Sequence, residues 1–188
     1  MLNVSLPPIL TCANCHECKH FCYDIKACLQ YSNTVIDARI RNLMVLQKDR
    51  AGYFNRIRKA LKGRRKNRFF RWHVSGDIID MNYLQNMIDI AIEFPTFKFW
   101  TYTKNYSLVN NYIAAHGNNV DCIPANLSIM FSEWKGLPLD NPYNMPVFAC
   151  HFPEDPTPHA YRCPGNCDVC KRVDRGCIKG EDTYNDLH

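Results

Sequence analysis

Eleven cysteines in 188 residues are the side chains best able to do chemistry here, and they are clustered. Cys12, Cys15, Cys18, Cys22 and Cys28 fall in the first 28 residues, Cys163, Cys167, Cys170 and Cys177 near the end, and only Cys122 and Cys150 lie between. The C-terminal set reads Cys163-Pro-Gly-Asn-Cys167-Asp-Val-Cys170, C-x3-C-x2-C, with Cys177 seven residues on. Four thiolates in so short a loop can close around one metal ion or cluster. The plain alternative is unligated thiols, which oxidise readily at a surface. The N-terminal set, Cys12-x2-Cys15-x2-Cys18-x3-Cys22, interleaves His16 and His20. A three-residue gap suits an iron–sulfur cluster, whereas two-residue gaps and histidines suit zinc. The expectation is one or two [4Fe-4S] clusters, with Zn as the alternative, at two sites or at one site shared between the chain ends.

A second candidate is the turn His73-Val-Ser-Gly-Asp77. A strand that ends in glycine lets backbone approach a ligand closely. Ser75, Gly76 and Asp77 are therefore cofactor-binding candidates, and His73, Asp77 and Lys104 are candidates for proton transfer or substrate contact. The same residues can equally be a turn, with Ser75 and Asp77 capping backbone amides.

The third signal is charge. Residues 39–71 hold thirteen Lys/Arg against Asp49 alone, a local +12, which leaves −7 on the other 155 residues of a chain whose net charge is +5. Arg64, Arg65, Lys66 and Arg68 lie beside Phe69, Phe70 and Trp72, a pattern suited to a phosphate backbone with base stacking. Read without function, it is a solvated helix end followed by inward-packed strand aromatics.

The elements that must position these groups belong to one domain, 1–188. It divides into an N-terminal cysteine-rich segment (1–33), an α/β body (34–152) and a C-terminal cysteine-rich segment (153–188). Apolar residues at 46% and charged residues at 22% fit a globular chain. The start MLNVSLPPIL carries no basic n-region, and no run approaches the ~18 apolar residues of a membrane span. The expectation is a cytoplasmic protein without membrane partners, whose reduced cysteines point to metal rather than disulfide.

Within the body, helical spacing predicts one helix over 34–62 that Gly52 interrupts. A strand follows over 70–75. Asp80 caps a helix over 81–93 that Pro95 ends. A strand over 97–103, a helix over 106–116 and strands over 127–132 and 147–151 complete the body. Alternation of this kind predicts a mostly parallel sheet with crossover helices, or a partial (β/α) barrel, with chemistry beyond the strands' carboxyl ends.

In order along the chain, Cys22-Tyr23, Phe70-Arg71-Trp72-His73-Val74-Ser75-Gly76-Asp77, Tyr102-Thr103-Lys104, Pro124-Ala125-Asn126-Leu127-Ser128 and the terminal cysteine loop resemble the phage protein family named after mycobacteriophage gene product 88. That resemblance implies a phage or prophage origin, and hence an infected or lysogenic host cell, without implying an activity. The N-terminal spacing is also similar to that of bacterial ferredoxins, with Tyr23 where those carry Pro. A looser similarity is to radical S-adenosylmethionine enzymes, whose second strand ends in a glycine-rich turn and an acid. It implies that three of Cys163, Cys167, Cys170 and Cys177 hold the iron, and that Ser75 or Asp77 holds the cofactor. In those enzymes, however, the C-x3-C-x2-C loop follows the first strand, whereas here it follows the last expected one. The function expected is a phage-type iron–sulfur protein with radical or redox activity. The alternative is a zinc-stapled nucleic-acid-binding or host-interaction protein.

Overall fold

The computed structural model describes residues 2–187 except His16, and at Glu17 and Ser32 the backbone only. Among these residues seven strands form one all-parallel sheet. They are β1 (Leu2–Val4), β2 (Phe69–Trp72), β3 (Lys98–Thr103), β4 (Leu127–Glu133), β5 (Val147–His151), β6 (Tyr161–Arg162) and β7 (Thr183–Asp186). The expected α/β class is the one observed. Three strands were not foreseen: β1, β6 and β7 are too short and too polar to show a period of two.

The helices are α1 (Tyr23–Gln30), α2 (Asp37–Lys48), α3 (Arg50–Lys62), α4 (Met81–Glu93), α5 (Tyr106–Ala115) and α6 (Cys167–Val173). A π-turn over Ser32–Ile36 joins α1 to α2. The chain over 34–62 is two helices, not one, and it breaks at Asp49 rather than at Gly52. The Asp49 carboxylate accepts the Gly52 N–H at 2.8 Å as the cap of α3. Gly52 makes room for that cap, since a Cβ there would stand 1.9 Å from an Asp49 oxygen. Helix α4 has the expected bounds, with Asp80 accepting the Tyr83 N–H at 2.8 Å.

The strand order β1-β2-β3-β4-β5-β7-β6 explains which face each segment covers. Up to β5 each new strand adds on the same side, so right-handed crossovers place their helices on one face, the winding of an open (β/α) barrel. That face carries the main core, where Phe70, Trp72, Phe99, Ile129 and Phe131 meet Phe54, Leu84, Met87, Val109 and Ile113. At β6 the order reverses, because β7 returns to pair with β5. The same handedness then sends the β6–β7 connection, with α6 and the cysteine loop, across the opposite face. A second core forms there from Trp100, Met130, Cys170, Cys177 and Ile178, with Phe69, Tyr102, Phe148, Tyr161 and Cys167 against it. Among the described residues no helix is long and apolar enough to cross a membrane.

Candidate metal centres

The N-terminal cysteines follow β1, so they leave the sheet at its carboxyl edge. Leu6 N–H donates to the Ser75 carbonyl at 3.0 Å, which ties the segment to the turn after β2. Gly76, at φ +85°, is required there, because a Cβ would lie 2.6 Å from Thr11 Oγ1 and 2.8 Å from Leu6 Cβ. The turn is thus a floor on which the cysteine segment rests. The backbone of Ile9 and Gly76 hydrogen-bonds the Cys12 sulfur, while burial pushes that thiol up to about 12. Cys18 is hydrogen-bonded to Cys15; burial raises its pKa and the Lys104 charge opposes the rise. Asn14 Nδ2 donates to the Lys104 carbonyl at 2.7 Å, and Phe21 packs 6.0 Å from the Trp134 ring. The segment therefore spans the edge from β1 to the end of β4. Cys22 stands at the N-cap of α1. His16 lies outside the described residues, and His20 is exposed in a short 3-10 turn (Glu17–Phe21).

The other expected residues separate. Asp77 is buried at this edge, but its Oδ1 accepts the Ile78 N–H at 2.6 Å and its Oδ2 the Lys104 N–H at 2.9 Å. Burial pushes its pKa up to about 6 against those bonds. Asp77 therefore braces the β2 and β3 turns together. Ser75 is buried with its hydroxyl unpartnered among the described residues. Lys104 Nζ donates to Ser132 Oγ at 3.0 Å and sits 5.7 Å from the Trp134 ring centroid. His73, expected as a proton-transfer group, lies on the helix side of the sheet. Its Nδ1 pairs with Thr101 Oγ1 at 3.1 Å and its Nε2 with the Tyr83 hydroxyl at 3.0 Å. Burial lowers its pKa to about 3, so it is a neutral core residue with both ring nitrogens engaged.

The C-terminal cysteines form a separate group on the inner face of the sheet, the one opposite the crossover helices that carries the second core. Cys170 and Cys177 are buried, and burial raises the pKa of both thiols, with the neighbouring sulfurs adding to the rise: Cys163 and Cys167 beside Cys170, Cys163 and Cys170 beside Cys177. The Tyr102 hydroxyl donates to the Cys177 sulfur, whose pKa burial raises to about 11. Tyr161 donates to the Cys170 sulfur. Arg71 stands beside them, its guanidinium 4.9 Å from the Tyr102 ring centroid. Among the described residues no three Cys, His, Asp or Glu side chains converge tightly enough to chelate a single ion. A tetrahedral zinc with Zn–S of about 2.3 Å would need sulfurs about 3.8 Å apart. A cluster brings its own sulfides and accepts a wider basket of thiolates. Donors that are all sulfur, with amide and hydroxyl groups aimed at them, suit that chemistry.

Cys28 belongs to neither group. It is buried beside an Asp24–Arg39 ion pair, where Arg39 Nη1 donates to its sulfur at 2.9 Å and fastens α1 to α2. The basic residues Arg64, Arg65, Lys66 and Arg68 are exposed in the loop between α3 and β2, at the amino edge, opposite the carboxyl edge that carries the N-terminal cysteines. Phe70 and Trp72 are buried on the helix side and offer no base-stacking surface, while Phe69 packs half-buried on the inner face. Sequence reasoning missed Arg71 and Tyr102 as parts of the C-terminal site. The available signal was the run Phe69-Phe70-Arg71-Trp72, in which a strand's alternation sends an arginine to a face lined by aromatics.

No curated protein and no solved structure matches this chain. The family model described as gene product 88 matches residues 1–176, covering the N-terminal cysteine group, the turn after β2 and Cys163, Cys167 and Cys170 of the C-terminal group, and the chain belongs to that phage family.

Proposed function

We propose that this protein is an iron–sulfur protein with two [4Fe-4S] sites. Cys12, Cys15, Cys18 and Cys22 supply ligands for the site at the carboxyl edge, and Cys163, Cys167, Cys170 and Cys177 for the one on the inner face. The observation that carries this is the position of the first group, which follows the first strand of a parallel sheet and rests on the Ser75-Gly76-Asp77 turn. Carboxyl edges of such sheets are where ligands bind. The pairing of β1 also supports the radical S-adenosylmethionine reading, because a cysteine run follows the first strand, as it does in those enzymes. The run is C-x2-C-x3-C over Cys15, Cys18 and Cys22, the mirror of the usual spacing.

A bound cluster would supply single electrons. This chain's residues would shape the ligand space beside it. Asp77 holds two turns in register, Lys104 and Ser132 line the edge, and the Ser75 hydroxyl has no hydrogen-bond partner among the described residues. The test is anaerobic, cluster-loaded, reduced protein mixed with S-adenosylmethionine. Formation of 5′-deoxyadenosine, lost in a Cys15→Ser/Cys18→Ser variant, is expected. Loaded protein that forms none would leave two electron-transfer or structural clusters and overturn the radical reaction.

A second reading rests on one observation. The amino-edge loop holds Arg64, Arg65, Lys66 and Arg68 exposed and without ion pairs among the described residues. That arrangement suits sequence-independent contact with nucleic-acid phosphates.

A further inference from the structure

Arg71 points from β2 into the inner face, between the two cysteine groups. It donates to the Tyr23 hydroxyl, next in sequence to Cys22, and Tyr23 in turn donates to the Val74 carbonyl. On its other side its charge reaches Cys167 and Cys177, and the Tyr102 ring beneath it carries the hydroxyl bonded to Cys177. The guanidinium is partly buried, and its Nε is sealed from solvent with no hydrogen-bond partner among the described residues. Among the described residues no Asp or Glu pairs with it, although Arg39, Arg50 and Arg58 nearby in sequence each have an acid. A permanent charge taken partly out of water needs an opposite charge close by. Neutral thiols do not provide one. Four cysteine thiolates around a cluster do, since ligation removes their protons and leaves the assembly anionic.

We infer that Arg71 is the counter-charge of the C-terminal cluster, a positioning and tuning residue that faces both cysteine groups with one fixed positive charge. This rests on the iron–sulfur reading of that site. Reduction adds a negative charge to the cluster, and a nearby guanidinium stabilises the reduced state more than the oxidised one. Removing it should therefore make reduction harder. At an effective dielectric of about 20 and a separation of about 12 Å, the loss is roughly tenfold in electron affinity, about 59 mV to more negative potential for a one-electron couple.

The test uses full-length protein in a Cys15→Ser/Cys18→Ser background, so that the C-terminal centre alone is read. Arg71→Met and Arg71→Lys are purified anaerobically, checked for fold by circular dichroism, and analysed for iron and sulfide before redox titration followed by absorbance and electron paramagnetic resonance. The expected result is full iron and sulfide, a midpoint about tenfold harder to reduce in Arg71→Met, and a midpoint close to the parent in Arg71→Lys. Full iron with an unmoved midpoint in Arg71→Met overturns the role of Arg71 alone. A parent protein that takes up no iron or sulfide at these cysteines overturns the iron–sulfur reading, and the counter-charge with it. If Arg71→Met misfolds, the Arg71→Lys titration still decides: a tenfold shift there, with charge retained, contradicts a charge-based role.

Discussion

Replacing Gly76 with Ala should remove the floor of the carboxyl-edge site. Two costs combine. A side chain at φ +85° is held in the left-handed region, at about 1–2 kcal/mol. The new Cβ must also clear Thr11 Oγ1 at 2.6 Å and Leu6 Cβ at 2.8 Å. Thr11 is not free to turn away, because its hydroxyl donates to the Pro7 carbonyl at 2.7 Å. Leu6 Cα stands at 3.3 Å behind it, so backbone must move. Overpacking of this kind costs about 1–3 kcal/mol. The total of about 2–5 kcal/mol corresponds to a fall of roughly 5–20 °C in melting temperature for a chain of this size. Gly117 is the control: it has φ +82° but nothing within 4 Å of a Cβ, so Gly117→Ala carries the strain alone. Melting curves and iron content of both anaerobically purified variants decide. Gly76→Ala should melt below Gly117→Ala and lose edge-site iron. Equal melting temperatures with unchanged iron would refute the packing of the cysteine segment on this turn.

Other consequences follow from residues outside the metal sites. His73 is held neutral, with its pKa lowered by burial from 6.5 to about 3, so between those values the unfolded chain binds a proton that the native protein refuses. Stability should fall as pH drops through that window, by up to about 1.4 kcal/mol per unit, while Asp77, raised to about 6, opposes the trend between about 6 and 3.8. His73→Asn should lose stability less steeply from pH 6.5 to 4 in urea unfolding; parallel slopes would count against a buried neutral imidazole. Arg39→Met should cost about 3–5 kcal/mol, because it strands the buried Asp24 carboxylate, and chemical denaturation measures this directly. Neutralising Arg64, Arg65 and Lys66 together should weaken binding to nucleic acid and flatten its salt dependence while leaving iron content unchanged; no binding to DNA or RNA at low salt by the parent protein would remove the amino-edge reading.

The sequence exposed those elements whose signals are local. Helix α4 was legible to the residue because Asp80 caps it, Leu84, Met87, Ile88 and Ala91 mark its face, and Pro95 follows its end. The strands β3, β4 and β5 announced themselves by alternation or by a proline before them. What was not legible depends on partners far along the chain. Strand β1 is three residues paired with Phe70–Trp72 across a long separation, and no pattern in Leu2–Val4 distinguishes it from a loop. Missing it hid the fact that the N-terminal cysteines follow a first strand. Likewise Tyr161–Arg162 and Thr183–Asp186 are polar and short, and only their pairing reveals the reversal that sends the C-terminal cysteines to the inner face. The split between His73 and Asp77, four residues apart yet facing a core and an edge, came from the turn at Ser75 and Gly76 rather than from residue type. Arg71 was passed over for a related reason: its significance lies in having no acidic partner among the described residues, which only packing can show.

Metal analysis of anaerobically purified protein, with iron, inorganic sulfide and zinc counted per chain and the absorption spectrum recorded, bears most directly on the two cysteine groups. A brown protein with about four irons and four sulfides for each group is expected, falling by half when Cys15 and Cys18 are replaced by Ser and again when Cys167 and Cys170 are. A colourless protein carrying stoichiometric zinc, or one carrying no metal at all, would contradict it.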